Sequence, residues 1–224
     1  MKISIPKQEG EITPEDMNAL QDFVQSLVPS FVTEFGGLLQ DGVKSWRAKN
    51  MIRTLVRMKE LVAKSGLAQQ ELTGKFFIQT IDKAGIEDES YLQNKWAALL
   101  ANAATGKIQN DVKYVSILSE LNSKEVKLLD ALTINGIKSE AVNVEDVYGS
   151  HIREYVFSTE VAANFLNIPV EEAQIMVDNF YRLNICQLPP LLSITTGDGS
   201  PTIRTNLRFT LTDLGQTFLC AVKE

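Results

Sequence analysis

Residues 158–183 read STEVAANFLNIPVEEAQIMVDNFYRL, and residues 184–213 continue NICQLPPLLSITTGDGSPTIRTNLRFTLTD. Val161, Ala162, Phe165 and Leu166 recur at three- and four-residue steps and predict a short helix. Asn167-Ile168-Pro169 turns the chain, and a second helix follows with Ala173, Met176, Val177, Phe180 and Leu183 facing inward. Two β-prone runs come next, Ile185–Thr195 and Thr202–Thr212, with Thr196-Gly197-Asp198-Gly199-Ser200-Pro201 between them as a hairpin tip. A last helix is expected over Asp213–Val222. Helix, turn, helix, hairpin, helix is the order of a winged helix.

Upstream, helical periodicity dominates. Thr13-Pro14-Glu15-Asp16 combines a hydroxyl N-cap, a proline at the first helical position and acids in the first turn. Met17, Leu20, Val24, Leu27, Val28 and Phe31 form its apolar face, and Pro29 should kink or restart the helix because proline removes a ladder donor. A long pattern then runs through Leu39, Val43, Trp46, Asn50, Met51, Leu55, Met58 and Val62 to a stop at Ser65-Gly66. Its other face carries Lys44, Arg47, Lys49, Arg53, Arg57, Lys59 and Lys64, which snorkelling basic chains on a solvated face explain. Further helices are expected over Gly74–Ala84, Tyr91–Ala104, Val112–Leu121 and Lys124–Asn135. Residues 137–156 are polar and poorly periodic, with Tyr148-Gly149-Ser150-His151 as a loop signal. These features predict a mainly α protein: a flexible leader (1–12), a helical domain (13–136) and a winged-helix-like α+β domain (137–224).

Charge bears on what that last domain can bind. From Ser123 to the C-terminus there are 8 Lys or Arg against 13 Asp or Glu, a net of −5, while the first 122 residues hold 14 against 15, a net of −1. A winged helix that reads DNA puts its second helix in the major groove and its wing on the backbone, so both present cations and amides. Here that helix opens Val170-Glu171-Glu172 and offers Arg182 near its far end, and the wing carries Arg204 and Arg208. A nucleic-acid role would rest on Arg182, Arg204 and Arg208, and the acidic balance disfavours it.

Little in the chain suggests chemistry. His151 is the only histidine, which excludes sites needing two imidazoles. Cys186 and Cys220 lack CxxC spacing and sit in apolar surroundings, where buried free thiols are expected. Glu87-Asp88-Glu89 and Glu171-Glu172 lie at helix starts, where acids complement the helix dipole. Gly36, Gly37 and Gly42 follow no strand, so close packing or a hinge explains them better than a phosphate cradle. No catalytic, cofactor or metal site is expected. The N-terminus lacks a secretion signal, and no run approaches the roughly 18 apolar residues of a membrane span, so a cytoplasmic protein is expected.

Leu27-Val28-Pro29, Glu34-Phe35-Gly36-Gly37-Leu38-Leu39-Gln40-Asp41 and Ser45-Trp46-Arg47-Ala48-Lys49-Asn50 precede a longer segment, Glu87–Ala103. With Val115–Leu129 and Leu211-Thr212-Asp213-Leu214-Gly215, the set resembles the bacterial abortive infection alpha (Abi-alpha) family from about residue 25 onward. Its most specific parts are Trp-Arg-x-x-Asn at Trp46, Arg47 and Asn50, and Leu-x-x-x-Trp-Ala-x-Leu-Leu around Trp96. Lys95 departs from the polar or acidic residues usual before that tryptophan. The resemblance implies a phage-defence context and carries over no catalytic residue. A tryptophan beside an arginine and an asparagine can hold helices in register through cation–π contact and hydrogen bonds, a structural use for Trp46, Arg47, Asn50 and Trp96.

The leading expectation is a non-enzymatic defence or regulatory protein that binds protein partners and a second copy of itself. The alternatives are a winged-helix DNA-binding regulator and a membrane-active toxic effector that rearranges its Phe31–Trp46 region.

Overall fold

A computed structural model describes residues 3–6, 9–12, 14–29, 46–133, 140–145, 151–188 and 208–224. Among these the protein is mainly helical with small antiparallel sheets. It forms two units, Met1–Ser123 together with Cys220–Glu224, and Lys124–Leu219. The expected hairpin tip, Arg204, Phe31 and the glycines at 36, 37 and 42 lie outside the described residues.

In the first unit, within the stretch expected as a leader, β1 (Ile3–Pro6) pairs antiparallel with β2 (Glu9–Ile12), Ile3 opposite Ile12. Helix α1 (Pro14–Leu27) stops two residues before Pro29, whose ring cannot continue a helix, and buries Leu20, Val24 and Leu27. Helix α2 (Trp46–Ser65) buries Met51, Ile52, Leu55, Met58 and Val62, the spacing of one helical face. It ends at Gly66, whose φ of +65° is the left-handed geometry that glycine adopts without a Cβ penalty. Helix α3 (Gly74–Gly85) is capped by Thr73, whose hydroxyl accepts from the Phe76 amide, and buries Phe76 and Phe77 completely. Each such ring contributes about 1.5–3 kcal/mol by leaving water.

Helix α4 (Ser90–Ala104) is buried on nearly every side, so it is the central helix of this unit. Five alanines from Ala97 to Ala104 keep its surface low enough for neighbours to approach closely. Helix α5 (Val112–Ser119) starts at Asp111, whose carboxylate accepts from the Lys113 amide at 2.9 Å. That hydrogen bond holds the Asp111 carboxyl below its usual range.

The second unit contains α6 (Ser123–Thr133), β3 (Glu140–Glu145), β4 (His151–Ser158), α7 (Thr159–Leu166) and α8 (Val170–Arg182). It continues with β5 (Cys186–Gln187), β6 (Arg208–Leu211) and, as far as Leu219, α9 (Asp213–Ala221). The four strands form one antiparallel sheet in the order β3-β4-β6-β5. The polar stretch expected to be a loop is therefore mostly paired strand, from Glu140 opposite Val156 to Glu145 opposite His151. The expectation failed because Val142 and Val144, like Ile152 and Val156, alternate along runs too polar to register as apolar segments.

Phe157 sits opposite Phe209 across the β4–β6 pair, and their rings stack with centroids 5.7 Å apart. Helices α7 and α8 end in one shared device. Asn167 (φ 53°) and Asn184 (φ 56°) take the left-handed conformation, which asparagine tolerates, and the following amide of Ile168 or Ile185 returns to the carbonyl of Ala163 or Phe180. Burial pushes the Cys186 thiol up from its usual value, whereas Cys220 is exposed, contrary to expectation. In the last helix Phe218, Leu219, Ala221 and Val222 take the inward positions and leave position 220 outward.

Candidate functional site

Two features collect the polar side chains that the sequence marks, a node in the first unit and the outer face of α8 in the second. The node forms where α2 crosses the turn between α3 and α4. Asn50 is fully buried, and its amide nitrogen donates to the Glu87 carbonyl at 2.6 Å and to the Gly85 carbonyl at 3.4 Å. Its amide oxygen accepts from Arg53 at 3.2 Å. Gln93 of α4 donates to the same Glu87 carbonyl at 2.7 Å. The Glu87 carboxylate in turn accepts from the Glu89 amide, and the Ser123 hydroxyl pairs with the Glu89 carboxylate.

Gly85 allows the approach that makes this possible. A Cβ there would lie 2.8 Å from the end of Met51 and 3.0 Å from Cγ of Arg47. Arg47 adds an ion pair to Asp82 at 2.9 Å, with both side chains about half exposed, so it contributes at most about 1 kcal/mol. Arg47 and Asn50 thus meet at one helix junction.

Trp46 does not join them. It is 52% exposed, while Trp96 is buried in α4. The cation–π pairs seen among the described residues are Lys59 over Phe23 and Lys95 over Tyr91.

The basic face of α2 is largely occupied. Arg57 binds Glu224 at 2.8 Å and Glu60 at 3.2 Å, and the Glu224 hydrogen bond leads in raising its pKa. Lys59 donates to the Ala19 carbonyl at 3.1 Å. These cations tie α2 to its own unit, and none of these contacts requires an external anion.

On α8, Ala173, Met176, Val177 and Phe180 are buried. Glu171, Ile175, Asp178 and Arg182, spaced 4, 3 and 4 apart, form the exposed stripe. Ile175 is the most exposed large apolar residue described, at 69%. Gln174 donates to Asp178 at 2.9 Å, and Glu172 pairs with Lys124 at 2.8 Å. Arg182 donates from two nitrogens to the side-chain amide oxygen of Asn179, at 2.7 and 3.1 Å. Arg208 lies on β6, and its carbonyl accepts from the Tyr181 hydroxyl at 3.0 Å. Burial pushes the Tyr181 phenol up to about 12, with Cys186 and Asp178 adding in the same direction.

His151 opens β4 opposite Glu145 and lies on a strand instead of a loop. Among the described residues, no three His, Cys, Asp or Glu side chains gather as a metal site would require. No helix among them is long and apolar enough to cross a membrane.

The sequence model of the family described as abortive infection alpha matches residues 47–222. No curated protein and no solved structure matches the chain. The match takes in the Asn50 node, the buried Trp96 and the exposed stripe of α8.

Proposed function

The chain belongs to the abortive infection alpha family, and from that premise we propose that it acts in abortive-infection-type phage defence through protein contacts, with no catalytic step of its own. The second unit serves as a winged helix turned to protein recognition, and the protein works in the cytoplasm. The order α7, turn, α8, β5, β6, α9 supports the winged-helix assignment, with the antiparallel β5–β6 pair at the base of the wing.

The observation that carries this reading is the outward stripe of α8. A helix placed in a major groove would bring Glu171 and Asp178 toward phosphates, which repel them, and would immerse Ile175 without an apolar partner. The same stripe suits a protein surface, where an exposed isoleucine among polar neighbours can be buried on contact. Arg182, the cation of that stripe, is already engaged by Asn179.

Ile175→Asp should leave folding intact, within about 0.5 kcal/mol, because the side chain is exposed. It should abolish phage protection together with the complex. The check is light scattering after size-exclusion chromatography, and co-purification from phage-infected cells, with the wild type and the variant side by side. A wild-type protein that remains monomeric and partnerless in infected cells contradicts the proposal. So does full protection by the variant.

A further inference from the structure

We infer that the first unit contains a binding site for a small phosphate-bearing anion, in the cleft where the last turns of α2 and α4 meet residues 220–224. The cleft has a volume of about 180 Å³, and Lys64, Ser65, Asn102, Thr105, Lys107 and Lys223 line it. Three lysines from three separate parts of the chain therefore surround one space.

Lysines at helix C-termini commonly serve as caps for unpaired carbonyls. Here carbonyls at both helix ends are already engaged. Ser65 donates to Val62 at 2.7 Å, Thr105 to Ala101 at 2.8 Å and Gln70 to Ala103 at 2.8 Å. Asn102 donates to the carbonyls of Ala221 at 2.9 Å and Lys223 at 2.8 Å. The ammonium groups of Lys64, Lys107 and Lys223 make no hydrogen bond or ion pair with any described residue. Glu224, the acid in the lining, is held by Arg57 at 2.8 Å.

The helix ends work against an anion, and their size decides how far. Each carries about half a negative charge, partly neutralised by the hydrogen bonds above, so the ends together do not cancel three whole positive charges. The remaining positive charge favours an anion, and lysine binds phosphate as a compact point charge. The volume falls below the roughly 300–1,000 Å³ of sites for drug-sized ligands. It suits a phosphoryl or pyrophosphoryl group, with the remainder of a larger molecule projecting into solvent.

Pyrophosphate titrated into the full chain at low ionic strength, where screening is weakest, tests the assignment by calorimetry and by amide shifts. Saturable binding is expected, with shifts at Ser65, Thr105 and Lys107. Combined Lys64→Ala, Lys107→Ala and Lys223→Ala should weaken it by roughly tenfold or more, since three exposed charge contacts are lost. Lys75→Ala with Lys83→Ala, which removes two cations of α3, should leave it unchanged. An unaltered circular dichroism spectrum would show that each variant folds. Absence of saturable binding overturns the inference, as does equal weakening by the α3 pair. Duplex DNA binding through the same three lysines, with pyrophosphate inert, also overturns it.

Discussion

Gly215→Ala should destabilise the second unit by about 2 kcal/mol or more. A Cβ at this position would sit 2.1 Å from the Ile185 carbonyl oxygen and 3.0 Å from its carbonyl carbon and Cγ2. The obstacle is backbone, and it is fixed from several directions. The Ile185 carbonyl accepts from the Thr212 amide at 2.9 Å, and Ile185 leads directly into β5. Thr212 in turn accepts from the Gly215 amide at 3.0 Å through its hydroxyl, which caps α9. Relief of the clash therefore breaks the corner where β6 becomes α9. Alanine gains about 1 kcal/mol of helix propensity over glycine, while overpacking of this kind costs on the order of 3 kcal/mol or more. The net loss should lower the melting temperature of the second unit by roughly 10 °C or more. Thermal denaturation monitored by circular dichroism reads it directly. Gly66→Ala is the control, because open space surrounds that Cβ and only the positive φ is strained, at about 1–2 kcal/mol. Equal effects from the two substitutions would refute the packing argument.

Asn102→Leu should be the most damaging polar-to-apolar change in the first unit. The Asn102 side chain is buried and donates to three carbonyls, those of Cys220, Ala221 and Lys223. Leucine is of similar size but donates nothing, so the closely bonded carbonyls of Ala221 and Lys223 lose their partner. Each buried acceptor left unsatisfied costs about 1–3 kcal/mol, and the sum is expected near 3 kcal/mol. Asn102→Asp should be at least as harmful at neutral pH, because a carboxylate also lacks a donor and faces partial negative charge. Urea denaturation measures both. A loss below about 1 kcal/mol for Asn102→Leu would mean that water replaces the side chain without penalty.

The helical body is legible in the sequence because its apolar residues recur with the helix period. Met51, Leu55, Met58 and Val62 are buried as that period requires, and Ser65-Gly66 and Thr105-Gly106 stop their helices. Asn50 was visible as a polar residue on an apolar face. Its partners were not, since the Gly85 and Glu87 carbonyls belong to a turn more than thirty residues away. Asn102 carries a similar signal. It follows Leu99 by one helical step on the buried face of α4, but its partners lie 118 to 121 residues downstream. Strands β3 and β4 are hard to read because Glu, Asn and Arg interrupt their alternation. The family motif Leu211-Thr212-Asp213-Leu214-Gly215 carried no evident physics as a string. Its meaning, a capped corner against the Ile185 carbonyl, requires the fold.

The outer face of α8 is proposed to meet protein. A photo-crosslinking amino acid in place of Ile175, activated in phage-infected cells, tests it most directly, with the same group in place of Ile86 in the first unit as reference. Ile86 is similarly exposed, at 56% against 69%. A discrete protein adduct is expected from position 175, absent from position 86 and lost when Glu171 and Asp178 are both changed to lysine. Adducts to nucleic acid from position 175, or none while protection persists, would contradict it.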